Sequence, residues 1–286
     1  MAEAEGSRPA SVDELLAEAR ALGLERLDAR LLLAHALGRQ PAWVHAHGDA
    51  RLLDVQSSEI RSLFAQRADG QPVSYLTGQR EFFGLPLLVS RAVLDPRPDT
   101  ETLAQWALDI LSHDLQTLAR PRSADLGTGS GAIALALAQH CSRALVCATD
   151  SSASALQVAR ANATRLGLSV HFFEGYWLEA LQGQTFDLIV SNPPYLAHDD
   201  PHLTALHAEP RSALVAGPDG LSDLLAIIEG SRAHLHAGGW LLLEHGCDQS
   251  AAVAAQLGRA GYGAIAHRLD LAGHVRCTGG RWLAGA

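Results

Sequence analysis

The chain has 286 residues, enough for one large domain or for a catalytic domain with a smaller companion. Hydrophobic residues make up 48% and charged residues 19%, and the formal net charge is -9. That balance fits a globular protein and weighs against one built mainly to grip nucleic acid, because phosphate contacts need clustered cations.

Ser11-Val12-Asp13-Glu14 reads as a capping box, with Ser11 as N-cap and Glu14 reaching back. Leu15, Leu16, Ala19 and Leu22 follow at helical spacing, and Gly23 is a natural stop. Further helices are expected over Leu27–Leu37 and Val55–Ala68, giving a small bundle of amphipathic helices across residues 1–72. From Val73 to Val89, aromatic and β-branched residues punctuated by Gly78, Gly84 and Pro86 read as a hairpin or extended linker, and residues 73–96 are assigned to it. Pro96-Arg97-Pro98-Asp99-Thr100-Glu101 then leads into a helix over Glu101–Leu115, with Asp99 or Thr100 as its cap.

Residues 97–286 form the third segment, and from Ser123 strands and helices alternate. Strands are expected at Ser123–Leu126, Ala144–Thr149, Ser169–Phe173, Phe186–Ser191, Trp240–Glu244, Gly263–Arg268 and His274–Leu283. Helices are expected at Ala132–Gln139, Ala153–Leu166, Leu221–Leu235 and Gln249–Ala260. This order predicts an α/β fold with a mostly parallel seven-stranded sheet covered on both faces. Only Leu269–Gly273 separates the last two strands, too little for a helical crossover, so they should pair antiparallel.

No apolar stretch is long enough to span a membrane, and the polar, acidic start from Met1 to Pro9 is not a signal peptide, so a cytoplasmic protein is expected. Cys141, Cys147, Cys247 and Cys277 form no CxxC pair, and the 14 histidines have no companions at ligand spacing, so no metal site is expected. All 22 basic residues are Arg, which leaves the guanidinium as the one strong cation for anion recognition.

Asp125-Leu126-Gly127-Thr128-Gly129-Ser130-Gly131-Ala132 lies where the first strand of the sheet turns into a helix. Glycines there let the backbone turn sharply and let a ligand approach closely. Asp150 ends the next strand, where a carboxylate accepts both hydroxyls of a ribose. The pattern by itself also satisfies the dinucleotide fingerprint. Electrostatics favours a methyl donor: a pyrophosphate would meet the carboxylate of Asp125, whereas the amino group and sulfonium of S-adenosylmethionine are cationic.

The apolar strand Phe186–Ser191 delivers Asn192-Pro193-Pro194-Tyr195 at its carboxyl end, where ligands bind in open α/β sheets. An amide nitrogen is a poor nucleophile because its lone pair is shared with the carbonyl. Accepting both of its N–H bonds orients it and favours positive charge on it. The Asn192 side-chain oxygen and the Pro193 carbonyl are adjacent acceptors, the prolines stiffen the turn, and the Tyr195 ring offers a flat wall. No general base of unusual pKa and no metal is required. A DNA or RNA base amine poses the same problem, but enzymes for it normally add a target-recognition region with basic residues, and the acidic balance and helical N-terminal segment weigh against that alternative. Nicotinamide-dependent oxidation survives only through the glycine loop.

With these motifs the chain resembles the peptide chain release factor glutamine methyltransferases over nearly its whole length. The other matching segments are Tyr75-Leu76-Thr77-Gly78, Glu81-Phe82-Phe83-Gly84, Pro96–Glu101, Glu209-Pro210-Arg211, Gly217-Pro218-Asp219-Gly220-Leu221 and Asp270-Leu271-Ala272-Gly273 before Arg276. The resemblance implies a class I, Rossmann-like methyltransferase domain joined by a β-hairpin to a helical N-terminal domain that recognises substrate. It implies methylation at N5 of the glutamine in the Gly-Gly-Gln motif of class I release factors, with S-adenosylhomocysteine as product, by a monomer acting without nucleic acid. In this family Gly127, Thr128, Gly129, Ser130 and Gly131 would cradle the methionine moiety, Asp150 the ribose and Trp177 the adenine. Asn192, Pro193, Pro194 and Tyr195 would hold the glutamine, with Asn192 also next to the cofactor. A related enzyme methylates a ribosomal-protein glutamine, and the Pro96–Glu101 run is closer to the release-factor branch. Tyr176 stands where the family usually has an acid for the adenine edge, and Asp95 where it has an apolar residue. Arg97, Thr100 and Glu101 are expected at the mouth of the site, and Glu209-Pro210-Arg211 in a loop over it.

Overall fold

The computed structural model describes residues 9–283, which divide into two compact units with the boundary between Gly78 and Gln79. The first unit is helical: α1 (Val12–Ala21), α2 (Arg26–Ala36), α3 (Pro41–Ala46), α4 (Asp54–Ala68) and α5 (Val73–Thr77). The capping box forms as expected: the Ser11 hydroxyl accepts from Glu14 N at 3.2 Å and Ser11 N donates to the Glu14 carboxylate at 2.8 Å. Val12, Leu15, Ala19, Leu32, Leu33, Ile60 and Phe64 make the core.

One expectation fails here. Val73 opens α5, not an extended linker: Pro72 is its N-cap, Tyr75 N and Leu76 N both donate to Pro72 O, and Gly78 in the left-handed region ends it. Val73 and Leu76, one helical turn apart, pack on the helical core, and that burial overrides their β-propensity. The hairpin follows it, with β1 (Gln79–Phe82) antiparallel to β2 (Leu85–Leu88). Phe83 (φ 51°) and Gly84 (φ 77°) make its two-residue turn, which needs positive φ at both positions.

In the second unit α6 (Thr100–Ser112) precedes the alternating run. It continues with β3 (Arg122–Leu126), α7 (Ala132–His140), β4 (Leu145–Asp150), α8 (Ala153–Leu166), β5 (His171–Glu174) and β6 (Phe186–Ser191). It ends with α9 (Ser222–Ser231), β7 (Leu235–Glu244), α10 (Ser250–Arg259), β8 (Tyr262–Leu269) and β9 (Val275–Trp282). The seven-stranded sheet has the order β5-β4-β3-β6-β7-β9-β8, parallel from β5 through β7, with β9 antiparallel to both of its neighbours. Alternate residues of one strand feed two cores: Leu188 and Val190 join Trp106, Ile110 and Leu137 on one face, while Ile189 joins Leu224, Ile227 and Val253 on the other. β7 begins at Leu235, where helix was expected; α9 ends at Ser231, Leu235 pairs with Phe186 of β6, and the register then shifts through Gly238 (φ 83°) before Trp240 pairs with Leu188.

The chain runs outward from β3 to β4 and β5, then crosses back to place β6 on the other side of β3. Such a reversal opens a crevice at the carboxyl ends of the two strands. Among the described residues no helix is long and apolar enough to cross a membrane, and no cluster of His, Cys, Asp or Glu could hold a metal ion.

Candidate active site

A cavity of about 340 Å³ occupies that crevice, a size within the usual range for small-ligand sites. Its wall includes Gly127, Thr128, Gly129 and Ser130 from the loop after β3, Asp150 from β4, Tyr176 and Trp177 from the segment after β5, and Asn192 and Pro194 after β6. Four separate strand ends thus contribute to one wall.

The loop is tied down by backbone bonds: Gly127 N and Thr128 N both donate to Thr149 O at 2.9 Å. A Cβ on Gly127 would come within 2.8 Å of the Trp177 ring, so close packing of that indole requires glycine there. Gly129 has φ 56° and open space where a Cβ would stand. Its N–H donates to Asp150 Oδ2 at 2.9 Å, and Ser152 N donates to Asp150 Oδ1 at 2.9 Å. Each carboxylate oxygen has a second lone pair for a ligand hydroxyl. Burial raises the Asp150 pKa, and the two N–H donors offset part of the rise.

Asp125 departs from its expected position. It is buried beside Thr128, whose hydroxyl donates to Oδ2 at 2.6 Å, and Ala134 N donates to the same oxygen at 3.1 Å. It is not part of the cavity wall; its Oδ1 is buried without a partner, and burial pushes its pKa up to about 6. The first strand of the sheet is central and covered on both faces, so its inward-pointing residues face protein.

At the end of β6 the Ser191 hydroxyl donates to Leu126 O at 2.7 Å, joining the two strand ends. Asn192 Nδ2 donates to the Thr100 hydroxyl at 3.1 Å, which leaves Oδ1 as the free acceptor of that side chain. Pro193 and Tyr195 lie outside the cavity wall, and the Tyr195 ring packs on the core around α9 and α10. Gln249 Nε2 donates to Tyr195 O at 3.0 Å, anchoring the turn from α10. Beneath it Glu244 ends β7, fully buried; burial pushes it up to about 7, and hydrogen bonding from the Thr100 and Tyr195 hydroxyls offsets part of the rise.

Arg97 and Thr100 line the cavity, whereas Glu101 does not: its Oε1 accepts from Phe83 N at 3.0 Å and supports the hairpin turn. Glu209 is buried, accepts from Arg97 Nη2 at 2.5 Å and from Asp95 N at 3.2 Å, and holds the Pro210–Val215 stretch against the wall. Asp95 is accounted for by charge, its Oδ2 being 3.8 Å from both Arg80 Nη1 and Arg97 Nη1. Two wall or near-wall acids escaped the sequence reading, Asp223 in the first turn of α9 and Glu244. Only the placement of Glu244 at the carboxyl end of an apolar strand signalled it; an acid in a first helical turn reads as a complement to the helix dipole.

The doubly covered sheet, the glycine loop after its first strand and the motif ending β6 define a class I methyltransferase fold. The fold has counterparts among solved structures: a methyltransferase from Pyrococcus furiosus aligns with a TM-score of 0.51 at 20% identity, covering 70% of this chain and 90% of that one. The family profile described as Methyltransferase small domain matches residues 105–215, and that described as PrmC N-terminal domain matches residues 11–78. The chain is 52% identical over 261 residues to the release factor glutamine methyltransferase of Xylella fastidiosa (strain Temecula1 / ATCC 700964), covering 90% of this chain and 94% of that protein. It is 42% identical over 273 residues to that of Escherichia coli (strain K12), covering 94% and 96%. The chain belongs to the release factor glutamine methyltransferase family.

Proposed function

We propose that the chain transfers a methyl group from S-adenosylmethionine to N5 of the glutamine in the Gly-Gly-Gln motif of class I release factors. S-adenosylhomocysteine is the second product. The observation that carries the reading is the Asn192–Thr100 hydrogen bond, which holds Asn192 with Oδ1 as acceptor on a cavity shared with the glycine loop and Asp150. With the Thr100 hydroxyl proton given to Glu244, that oxygen accepts from Nδ2, so Nδ2 cannot turn inward without losing Thr100.

The residues fit the cofactor on the points that test it. Gly129 keeps a Cβ-free face where a ligand approaches, and the Asp150 carboxylate retains lone pairs for a ribose. The partnerless Oδ1 of Asp125 puts negative potential behind the loop, which suits a cationic ligand group more than a pyrophosphate. When bound, S-adenosylmethionine supplies an electrophilic methyl group on a sulfonium.

Asn192 Oδ1, on the wall, then accepts one N–H bond of the substrate amide, and the Pro193 carbonyl, outside that wall but next in the chain, is proposed to accept the other, orienting the nitrogen and stabilising the positive charge it gains. Transfer of the methyl group from the donor sulfur would leave S-adenosylhomocysteine and an alkylated amide nitrogen held by Asn192 Oδ1 and the Pro193 carbonyl. The alkylated nitrogen is acidic and releases one proton to water. Tyr195, packed behind the motif, supports the turn while Pro194 supplies the wall. The helical unit is proposed to recognise the release factor, and the enzyme to act as a monomer on protein without nucleic acid, in keeping with the net charge of -9.

Asn192→Ala should lower the methylation rate on the order of a hundredfold or more while S-adenosylhomocysteine binding, measured by calorimetry, stays near wild type. Asp150→Ala should weaken that binding. Equal loss of binding in both variants would contradict this division of roles.

A further inference from the structure

The wall of the cavity has a polar element that neither the motifs nor the family assignment accounts for. Tyr176 donates its hydroxyl proton to Asp223 Oδ1 at 2.5 Å, bridging the segment after β5 to the first turn of α9. Both side chains line the cavity; Asp223 is 9% exposed, against 48% for Tyr176. A surface ion pair would need neither the burial nor the place on the wall.

The sheet order says which part of a ligand this pair meets. β6 delivers Asn192, β3 the glycine loop and β4 Asp150, and β5 lies beyond β4 at the edge of the sheet. Asp150 pairs with Glu174 across β4 and β5, and Gly175 N donates to Asp150 O at 3.0 Å, so Tyr176 and Trp177 emerge just past the ribose acid. Trp177 has φ 46°, an uncommon conformation for a bulky residue, and its ring packs on Gly127. A nucleoside with its ribose on Asp150 therefore directs its base toward the indole and the Tyr176–Asp223 pair.

Hydrogen-bonding capacity fixes what the pair recognises. The Tyr176 proton is committed to Asp223, so the hydroxyl offers the cavity lone pairs only, and the Asp223 oxygens beside it are acceptors. The pair is an acceptor-only edge. It complements the exocyclic N–H bonds of a 6-aminopurine and opposes the carbonyl of a 6-oxopurine. We propose that Asp223, held by Tyr176, is the group that selects adenine in the cofactor, so that the specificity acid is carried by α9 and not by the segment after β5.

The proposal rests on the cofactor reading above, and its test separates the two. Binding of S-adenosylhomocysteine and of its deaminated analogue S-inosylhomocysteine to the full chain is measured by titration calorimetry, without reference to turnover. Wild type should prefer the amino compound about tenfold or more, the scale of one hydrogen bond to a charged group. Asp223→Asn, which presents an amide donor in the same volume, should erase most of that preference. Tyr176→Phe, which removes only a half-exposed hydroxyl, should reduce it while leaving the melting temperature near wild type. Asp150→Ala should weaken both ligands and leave their ratio unchanged. An undiminished preference in Asp223→Asn and Tyr176→Phe, or none in wild type, overturns the proposal. If wild type binds neither compound, the cofactor reading itself falls.

Discussion

The Asn192 amide has two ends, and the Thr100 hydroxyl, its proton given to Glu244, accepts from Nδ2 and leaves Oδ1 as the end proposed to meet the substrate. With Nδ2 bonded to a hydroxyl, Oδ1 is oriented before substrate arrives, so little conformational entropy is lost on binding. Thr100→Val should therefore lower kcat about tenfold, the scale of one neutral hydrogen bond, and Thr100→Ser should restore it, with S-adenosylhomocysteine affinity constant throughout. Unchanged turnover in the valine variant would remove Thr100 from the account. Two buried carboxyls give a second prediction. Asp125 is raised to about 6 and Glu244 to about 7, above their ordinary 3.8 and 4.5. A raised carboxyl binds its proton more tightly in the folded chain, so it favours folding below the ordinary value and loses that advantage as pH rises through the folded one. Burial lowers the pKa of His245, which works in the opposite sense, so the comparison must be between variants. The stability of Asp125→Asn/Glu244→Gln relative to wild type, from urea midpoints, should rise between about pH 4 and pH 7. A flat difference would mean that the two groups do not titrate there. At this scale the sequence exposed the glycine loop, Asp150 and the Asn192 motif, because each is a local string at a strand end. It did not expose the Tyr176–Asp223 contact, which joins residues 47 apart in the chain.

Elements were legible in proportion to their periodicity. β6 and α8 match their expected bounds, because an apolar strand bounded by a polar turn and a helix bounded by Ser152 and Gly167 leave one reading. α5 and the start of β7 did not, since Val73 and Leu76 pack by tertiary contact and Leu235 is drawn into the sheet by its pairing with Phe186 of β6. In the stretch from Leu196 to Val215, short of regular structure, only Glu209-Pro210-Arg211 was expected, as part of a loop. Leu196 and Val215 form an isolated parallel bridge, and the buried Glu209 ties the stretch to Arg97 and Asp95. Removing Arg97 leaves that carboxylate buried and unpaired, which costs more than the pair contributes. Arg97→Ala should speed amide exchange across residues 205–215 about tenfold or more with exchange in the sheet unchanged. No change in residues 205–215 would show that Glu209 does not hold the loop.

At the scale of the whole molecule, strand order converts a linear arrangement of motifs into a linear arrangement of subsites. Reading the sheet from β6 to β5 gives Asn192, the glycine loop, Asp150 and the Tyr176–Trp177 wall in succession, the order of the proposed subsites for amide, methionine, ribose and base. The proposed glutamine and methyl donor need contiguous places, and the four strand ends line one cavity. The fold class followed from the alternation of elements and was legible throughout. The crossover that brings β6 beside β3 was not, because strand order is set by packing between elements distant in sequence. The most direct test of the central claim is methyl transfer from labelled S-adenosylmethionine to purified class I release factor, run beside a Gln→Ala variant of its Gly-Gly-Gln loop. Label is expected on the wild-type factor alone, lost with Asn192→Ala. Label on both factors, or on neither while a ribosomal protein, rRNA or DNA is methylated, would contradict it.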